Sequence, residues 1–280
     1  MSPSRVLAPT PDMMRSEMTS RVKFSAWSEH DGMRSDNDQC VLVVGDSHCN
    51  ATWWRDVVVP AAIRVRPVAV VSVGDFGYWP GHSAGRAFLE TVSAGAAESG
   101  TFVCFVDGNH EQHDALEQTG EMVEVSDRVF HTSRGARWTW GRVRFGALGG
   151  AVSPDRDARV EGWDWFREEA LTDGDVGRLG DEPLDVLFTH DAPSWVDLAG
   201  IELLDPSVVG DMRRNRQRVD RAVSSTAPEL VVHGHWHVAH RTTVDRPGRI
   251  EVVGLAGDIA ATPVEALGLL YGDFVMAGSG

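Results

Sequence analysis

Three apolar runs at residues 41–44, 68–73 and 101–106 are separated by stretches with helical spacing, and this alternation constrains the fold more than any other feature. The first run, Val41-Leu42-Val43-Val44, is mostly β-branched and closed by Gly45, the pattern of a strand buried on both faces. Trp53, Trp54, Val57, Val58 and Ala61 then fall on one side of a helix, and residues 85–97 carry a second helical pattern. A βαβαβ order points to a largely parallel sheet with helices on its faces, and ligands of such sheets collect at the carboxyl ends of the strands. Each run ends in residues capable of chemistry: Asp46 and His48, then Asp75, then Asn109 and His110.

Farther along, residues 129–132, 136–140 and 143–148 are short segments joined by glycine-containing turns, which predicts antiparallel pairing with a hairpin at Gly141. A polar stretch over 153–183 precedes a buried strand at 184–189, an arginine-rich amphipathic helix at 212–224, and strands at 230–232, 240–244, 250–253 and 270–275. Residues 1–39, rich in Ser, Met, Asp and Pro and without a sustained period, read as a flexible segment before one catalytic domain over 40–280. That segment holds no apolar stretch of the length a secretory signal or membrane span needs, so no membrane partner is expected. Cys40, Cys49 and Cys104 match no zinc-finger spacing, and a reduced, buried Cys104 suits a cytoplasmic location. The formal charge of −15, from 26 basic and 41 acidic residues, disfavours extended nucleic-acid binding. The clearest basic run, over 213–218, reads as a solvated helix face.

Asp46 and His48 stand two apart at the end of an extended run, a spacing that sends both side chains from one face toward one ion. His235 and His237 repeat the spacing, Asp75 offers a bridging carboxylate, and Asn109 and His190 add a neutral oxygen and a nitrogen. Each is weak alone, since an Asp after Gly is usually a turn residue and a lone His usually belongs to the core or the surface. Their order, each closing a predicted strand, carries the weight. His233 reads as an orienting or structural residue, and His82, His113 and His131 as residues without a role in the site. Asp191 either orients an imidazole or starts a turn; Arg156 and Arg159 either grip a phosphate or stay solvated; Trp163 and Trp165 more often plug a core than stack on a base.

Together, Asp46-Ser47-His48, Gly74-Asp75, Gly108-Asn109-His110-Glu111, His190 and Gly234-His235-Trp236-His237 resemble the calcineurin-like metallophosphoesterase family over residues 40–253. The resemblance implies an α/β fold, a four-layer α/β/β/α sandwich with two packed mixed sheets flanked by helices. It implies one metal ion held by Asp46, His48, Asp75 and His237, and a second by Asp75, Asn109, His190 and His235. The implied activity is hydrolysis of phosphate mono- or diesters by a metal-bridging hydroxide at a dinuclear centre. Of the two divalent ions, Mn²⁺ leads and Fe or Zn²⁺ are the alternatives. His110, next to a ligand, would face the leaving group as the catalytic general acid or a phosphate stabiliser. The expected substrate is a phosphorylated small molecule or nucleotide, with a phosphoprotein second. Tyr78 stands where many relatives carry a second acid, and no Arg-Gly follows. A protein Ser/Thr phosphatase-like enzyme is therefore an alternative, as is a non-catalytic metal-binding protein of the same fold. Cys49 replaces a glycine common in relatives, which predicts a less tightly turned backbone and a site sensitive to oxidation.

Overall fold

The computed structural model describes residues 21–28, 39–198, 205–246 and 248–274. Strands β2 (Cys40–Val44), β3 (Ala69–Ser72), β4 (Val103–Phe105) and β6 (Val129–Thr132) lie side by side in parallel. Antiparallel strands flank them: β13 (Leu267–Gly272) and then β1 (Val22–Ala26) on one side, β5 (Met122–Ser126) on the other. The second sheet places β12 (Gly248–Gly254), β10 (Leu230–His233), β9 (Val186–Thr189) and β8 (Val143–Leu148) in parallel, with β11 (His240–Arg246) and β7 (Arg137–Trp140) antiparallel at its edges.

The alternation of strand side chains sorts the apolar residues into layers. Val41, Val43 and Val71 meet Phe145, Phe188 and Val232 between the two sheets. The opposite parity, Leu42, Val44, Val70 and Phe105, faces two helices. Helix α1 consists of α-helical turns Ala51–Trp53 and Val59–Val65 around a π-helical stretch, Trp54–Val58, and α2 spans Ser83–Ser99. The wider π turn shifts the buried stripe of α1 to Trp54, Val58 and Ala61, leaving Trp53 and Val57 half-buried. On the far face, Leu187, Val231 and Val252 pack with Leu179 of α3 (Asp173–Leu179) and with Val219, Ala222 and Val223 of α4 (Pro206–Thr226). Each such side chain withdrawn from water contributes about 1.5–3 kcal/mol before entropy is counted, which is why runs apolar on both faces can only be central strands. The helix/sheet/sheet/helix layering is the expected sandwich.

Two expectations are corrected. The segment over 1–39 is not flexible throughout: Val22–Ala26 forms β1, which alternates Val22 and Phe24 inward and pairs with β13. Residues 1–20 and 29–38 lie outside the described residues. The middle segments do not form one antiparallel group either. Val129–Thr132 joins β4 in parallel in the first sheet, while Arg137–Trp140 and Val143–Leu148 form the Gly141 hairpin that opens the second. Short apolar runs state their exposure but not which sheet receives them. No helix among the described residues is long and apolar enough to cross a membrane.

Candidate metal centre

β2, β3 and β4 of one sheet and β9 and β10 of the other end just before Asp46, Asp75, Asn109, His190 and His235. The structure gathers all seven predicted ligands at this end. Donor atoms of Asp46, His48, Asp75 and His237 lie within 4.8 Å of one another, as do those of Asp75, His190 and His235. Asp75 belongs to both groups. Its Oδ2 lies 3.4 Å from His48 Nε2, and its Oδ1 lies 3.4 Å from His190 Nε2. Asn109 Oδ1 is 3.1 Å from that same His190 nitrogen, and His237 Nε2 is 3.1 Å from Asp46 Oδ2.

The convergence does not arise as the spacing suggests. His48, Asp75, His235 and His237 all have left-handed backbones, with φ of 45°, 43°, 66° and 52°. The predicted ligands sit beyond the strand ends, where turns rather than pleat parity aim them. Such conformations cost about 1–3 kcal/mol each for a residue with a Cβ and persist only where neighbours over-determine them. Here Ser47 and His48 both donate backbone N–H groups to Asp75 O, at 3.0 and 2.7 Å. Cys49, expected to be less tightly turned than a glycine, has φ of 62° and takes the glycine-like conformation after all. The motif glycines have steric causes: a Cβ on Gly234 would come within 2.0 Å of Asp46 Oδ1, and one on Gly74 within 2.1 Å of His190 Nδ1.

Hydrogen bonds present the lone pairs. His190 Nδ1 donates to Val73 O at 2.9 Å, since a carbonyl only accepts, so Nε2 is left facing Asp75 and Asn109. His48 Nδ1 lies 3.2 Å from Asp258 Oδ1, and Asp258 is held by Asn50 Nδ2 and by its own N–H to Asp46 O. Asn109 Nδ2 donates to Ser153 Oγ, which donates to Glu169 Oε2 at 2.6 Å, so the amide oxygen is the atom turned to the site. Glu111 accepts from the N–H groups of Phe76, Gly77 and Gly108, tying the Gly-Asp loop to the Gly-Asn-His loop. Asp258, Glu111 in this role, and the Ser153–Glu169 pair were not foreseen. Only Glu111 carried a signal, its place in the motif.

Electrostatics fit a cation. Burial would lower the pKa of His48, but Asp75 and Asp46 outweigh it and push the imidazole up to about 9. Burial of His190 is likewise outweighed, by Asp75 foremost, taking it up to about 10. Asp75, despite burial, is held well below the usual carboxylate range by His190, His110 and His48. Burial and the Asp75 charge push Glu111 up to about 8. Asp46 Oδ1 is buried with no hydrogen-bond partner among the described residues, an arrangement that costs about 1–3 kcal/mol or more unless something positive meets it. The donors are all O and N, a set that suits Mn²⁺, Fe or Zn²⁺.

Other predicted residues sort cleanly. His110 stands at the site, its ring 5.3 Å from that of His48. Arg159 Nη2 donates to His110 Nε2 at 2.9 Å, whereas Arg156 turns away to Asp211. His233 is buried between Gly234 O and His240 and points no nitrogen at the cluster. Asp191 accepts from Trp236 Nε1, Ala192 N and Asn215 Nδ2, so it orients the residue between two predicted ligand histidines instead of an imidazole. His113 and His131 are buried beside Asp107. Trp163, expected in a core, is 66% exposed.

The model of the calcineurin-like phosphoesterase family matches residues 41–239. Among solved structures, a dimetal phosphatase from Danio rerio is similar with a TM-score of 0.52 and 15% identity, over 84% of this chain and 92% of that chain, a likeness of fold. A conserved uncharacterized protein from Streptococcus pneumoniae, described as a predicted phosphoesterase, matches at a TM-score of 0.36 and 12% identity, over 80% of this chain and 75% of that one. No curated protein matches the sequence. The family model spans every motif that builds the cluster, and the chain belongs to the calcineurin-like phosphoesterase family, in its broad class a metal-dependent phosphoesterase.

Proposed function

We propose that this chain hydrolyses phosphate mono- or diesters of a small molecule or nucleotide at a dinuclear centre. Asp46, His48, Asp75 and His237 would hold one divalent ion, and Asp75, Asn109, His190 and His235 the other. The observation that carries the reading is Asp75, which presents one carboxylate oxygen to each donor group. Two divalent ions bound there would supply charge neutralisation and a water acidified toward neutral pH. Mn²⁺ leads among the ions, with Fe or Zn²⁺ as alternatives.

The protein's own part is positioning. His190 and His48 are oriented by Val73 O and Asp258, and Asn109 by Ser153, so each turns its donor atom to the site without reorganisation, the two imidazoles giving up a proton as a metal binds. Asp75 Oδ1 accepts the N–H groups of Asn109 and His110, both at 2.8 Å, which fixes the bridging carboxylate and the backbone of the catalytic histidine together. Arg159 is the fixed cation beside His110. Its fork suits a phosphate oxygen, and on binding one it would free His110 Nε2 to take up a proton from solvent and donate it to the leaving-group oxygen.

The filled donor set favours this reading over a non-catalytic metal-binding protein. An extended nucleic-acid partner is disfavoured because four of the five arginines of α4 are engaged: Arg218 and Arg221 with Asp173, Arg214 with Asp211, and Arg216 buried against backbone carbonyls. A cytoplasmic location belongs to the same proposal, supported by cysteines that form no disulfide among the described residues.

The test is hydrolysis of p-nitrophenyl phosphate and bis-p-nitrophenyl phosphate by chelated protein, with and without added Mn²⁺, beside an Asp75→Ala control. Metal-restored turnover that the control lacks is expected, and the ratio of the two rates assigns mono- or diester preference. Absence of turnover with Mn²⁺, Fe²⁺ and Zn²⁺ would overturn the proposal.

A further inference from the structure

Trp163 is the one large aromatic side chain among the exposed hydrophobics of the described residues, and it belongs to none of the apolar clusters that hold the fold together. A bare indole has no folding reason to be there, and its surroundings link it to the site by two routes. The first is a series of rings. Trp163 meets His82 edge-on at 5.6 Å, His82 meets Trp79 edge-on at 5.4 Å, and Trp79 Nε1 donates to the backbone carbonyl of His110 at 2.6 Å. His82 occupies the N-cap position of α2 without capping it, so its ring has no competing duty there.

The second route is Arg159. Its Nη2 reaches both His110 Nε2 and Asp155 Oδ2, and its Nη1 donates to Asp164 O at 3.3 Å. The turn that carries Trp163 is closed on itself by Trp163 N to Val160 O and by Val160 N to Asp164 Oδ1. The guanidinium beside His110 therefore also anchors the turn that presents the indole. Val160, in the same turn, is also exposed, at 63%.

We propose that Trp163, backed by His82 and Trp79, is a specificity-determining ledge that stacks on a planar aromatic group of the substrate while its phosphate lies at the metal centre. The inference rests on the phosphoesterase reading of that centre. An aromatic face and a ring of the substrate attract one another without regard to hydrogen-bond pattern, so an aryl group and a nucleobase would both be accepted.

The experiment measures binding of non-hydrolysable phosphonates to the Mn²⁺-loaded protein by titration calorimetry, with turnover of phenyl phosphate followed separately. Benzylphosphonate, an adenine-bearing phosphonate and n-butylphosphonate are compared in wild type, Trp163→Ala and Trp163→Phe. The expected result is an aromatic preference of about ten-fold over butyl in wild type, lost in Trp163→Ala and kept in Trp163→Phe. The aromatic ligand that loses more affinity in Trp163→Ala identifies the group the ledge prefers. An unchanged preference in Trp163→Ala, an equal loss for all three ligands, or no binding of any phosphonate would overturn the ledge. Loss of phenyl phosphate turnover in wild type would instead count against the phosphoesterase reading.

Discussion

The floor of the site and its rim are built by opposite means. Asp46, Asp75, Asn109 and His190 form a floor in which no residue is more than 2% exposed, each fixed by backbone groups or by a buried side chain. His48, His110 and His237 form a rim whose side chains are 25%, 34% and 35% exposed, and which is steadied by charged partners such as Asp258 and Arg159. The floor follows from strand ends and the rim from loops. Metal retention should therefore depend on the floor together with the rim histidines His48 and His237, and turnover and substrate choice on His110 and Arg159.

The strongest test of that division is Asp75→Ala, which removes the carboxylate common to both donor groups. Activity should fall by about 10³-fold or more, the several kcal/mol that metal-centred charge stabilisation supplies, and bound metal should fall with it. His110→Asn at the rim should lower kcat by about 10²–10⁴-fold, the usual contribution of a positioned acid, while metal content by atomic emission stays at the wild-type level. Metal loss in this variant would erase the distinction between floor and rim. Asp258→Asn sits between the two, because the side chain touches the site only through His48 and Asn50. Metal affinity measured by titration should weaken by about 10–100-fold, as for other residues that orient a ligand histidine. An unchanged affinity would show that His48 needs no orientation.

The smallest expected effect is on stability. In the metal-free protein, His48 and His190 have pKa values raised to about 9 and about 10, so the folded state holds their protons more tightly than the unfolded state does. That stabilisation is complete below about pH 6.5, the ordinary histidine value, and is lost as the pH rises through 9 to 10. The thermal midpoint of chelated protein should accordingly drop between pH 7 and pH 10.5. A flat profile would mean that the two imidazoles are not held by the carboxylates.

The same division explains what the sequence reveals. The floor was legible because each predicted ligand follows an apolar run, and a parallel arrangement of those runs brings their carboxyl ends to one side. The rim was legible only by residue type. The left-handed backbone at His48, His235 and His237 carries no glycine or asparagine to announce it, so pleat parity was the natural and mistaken explanation of the two-residue spacing. Asp258 lies 210 residues from His48, and Glu169 acts through Ser153, so neither has a local signature. Strand β1 was missed for a related reason: a five-residue alternation becomes a strand only when β13, near the other end of the chain, supplies its partner. Trp163 was assigned to a core on residue type alone, which cannot report that the turn at 160–165 holds it outward.

The central claim is that Asp75 joins two ions in one centre. Titration of chelated protein with Mn²⁺, followed by calorimetry and by electron paramagnetic resonance, tests it most directly. The account predicts two ions per chain with an exchange-coupled signal in wild type, and at most one uncoupled ion in Asp75→Ala. A single ion per chain in wild type, or two uncoupled ions that persist in the variant, would contradict it.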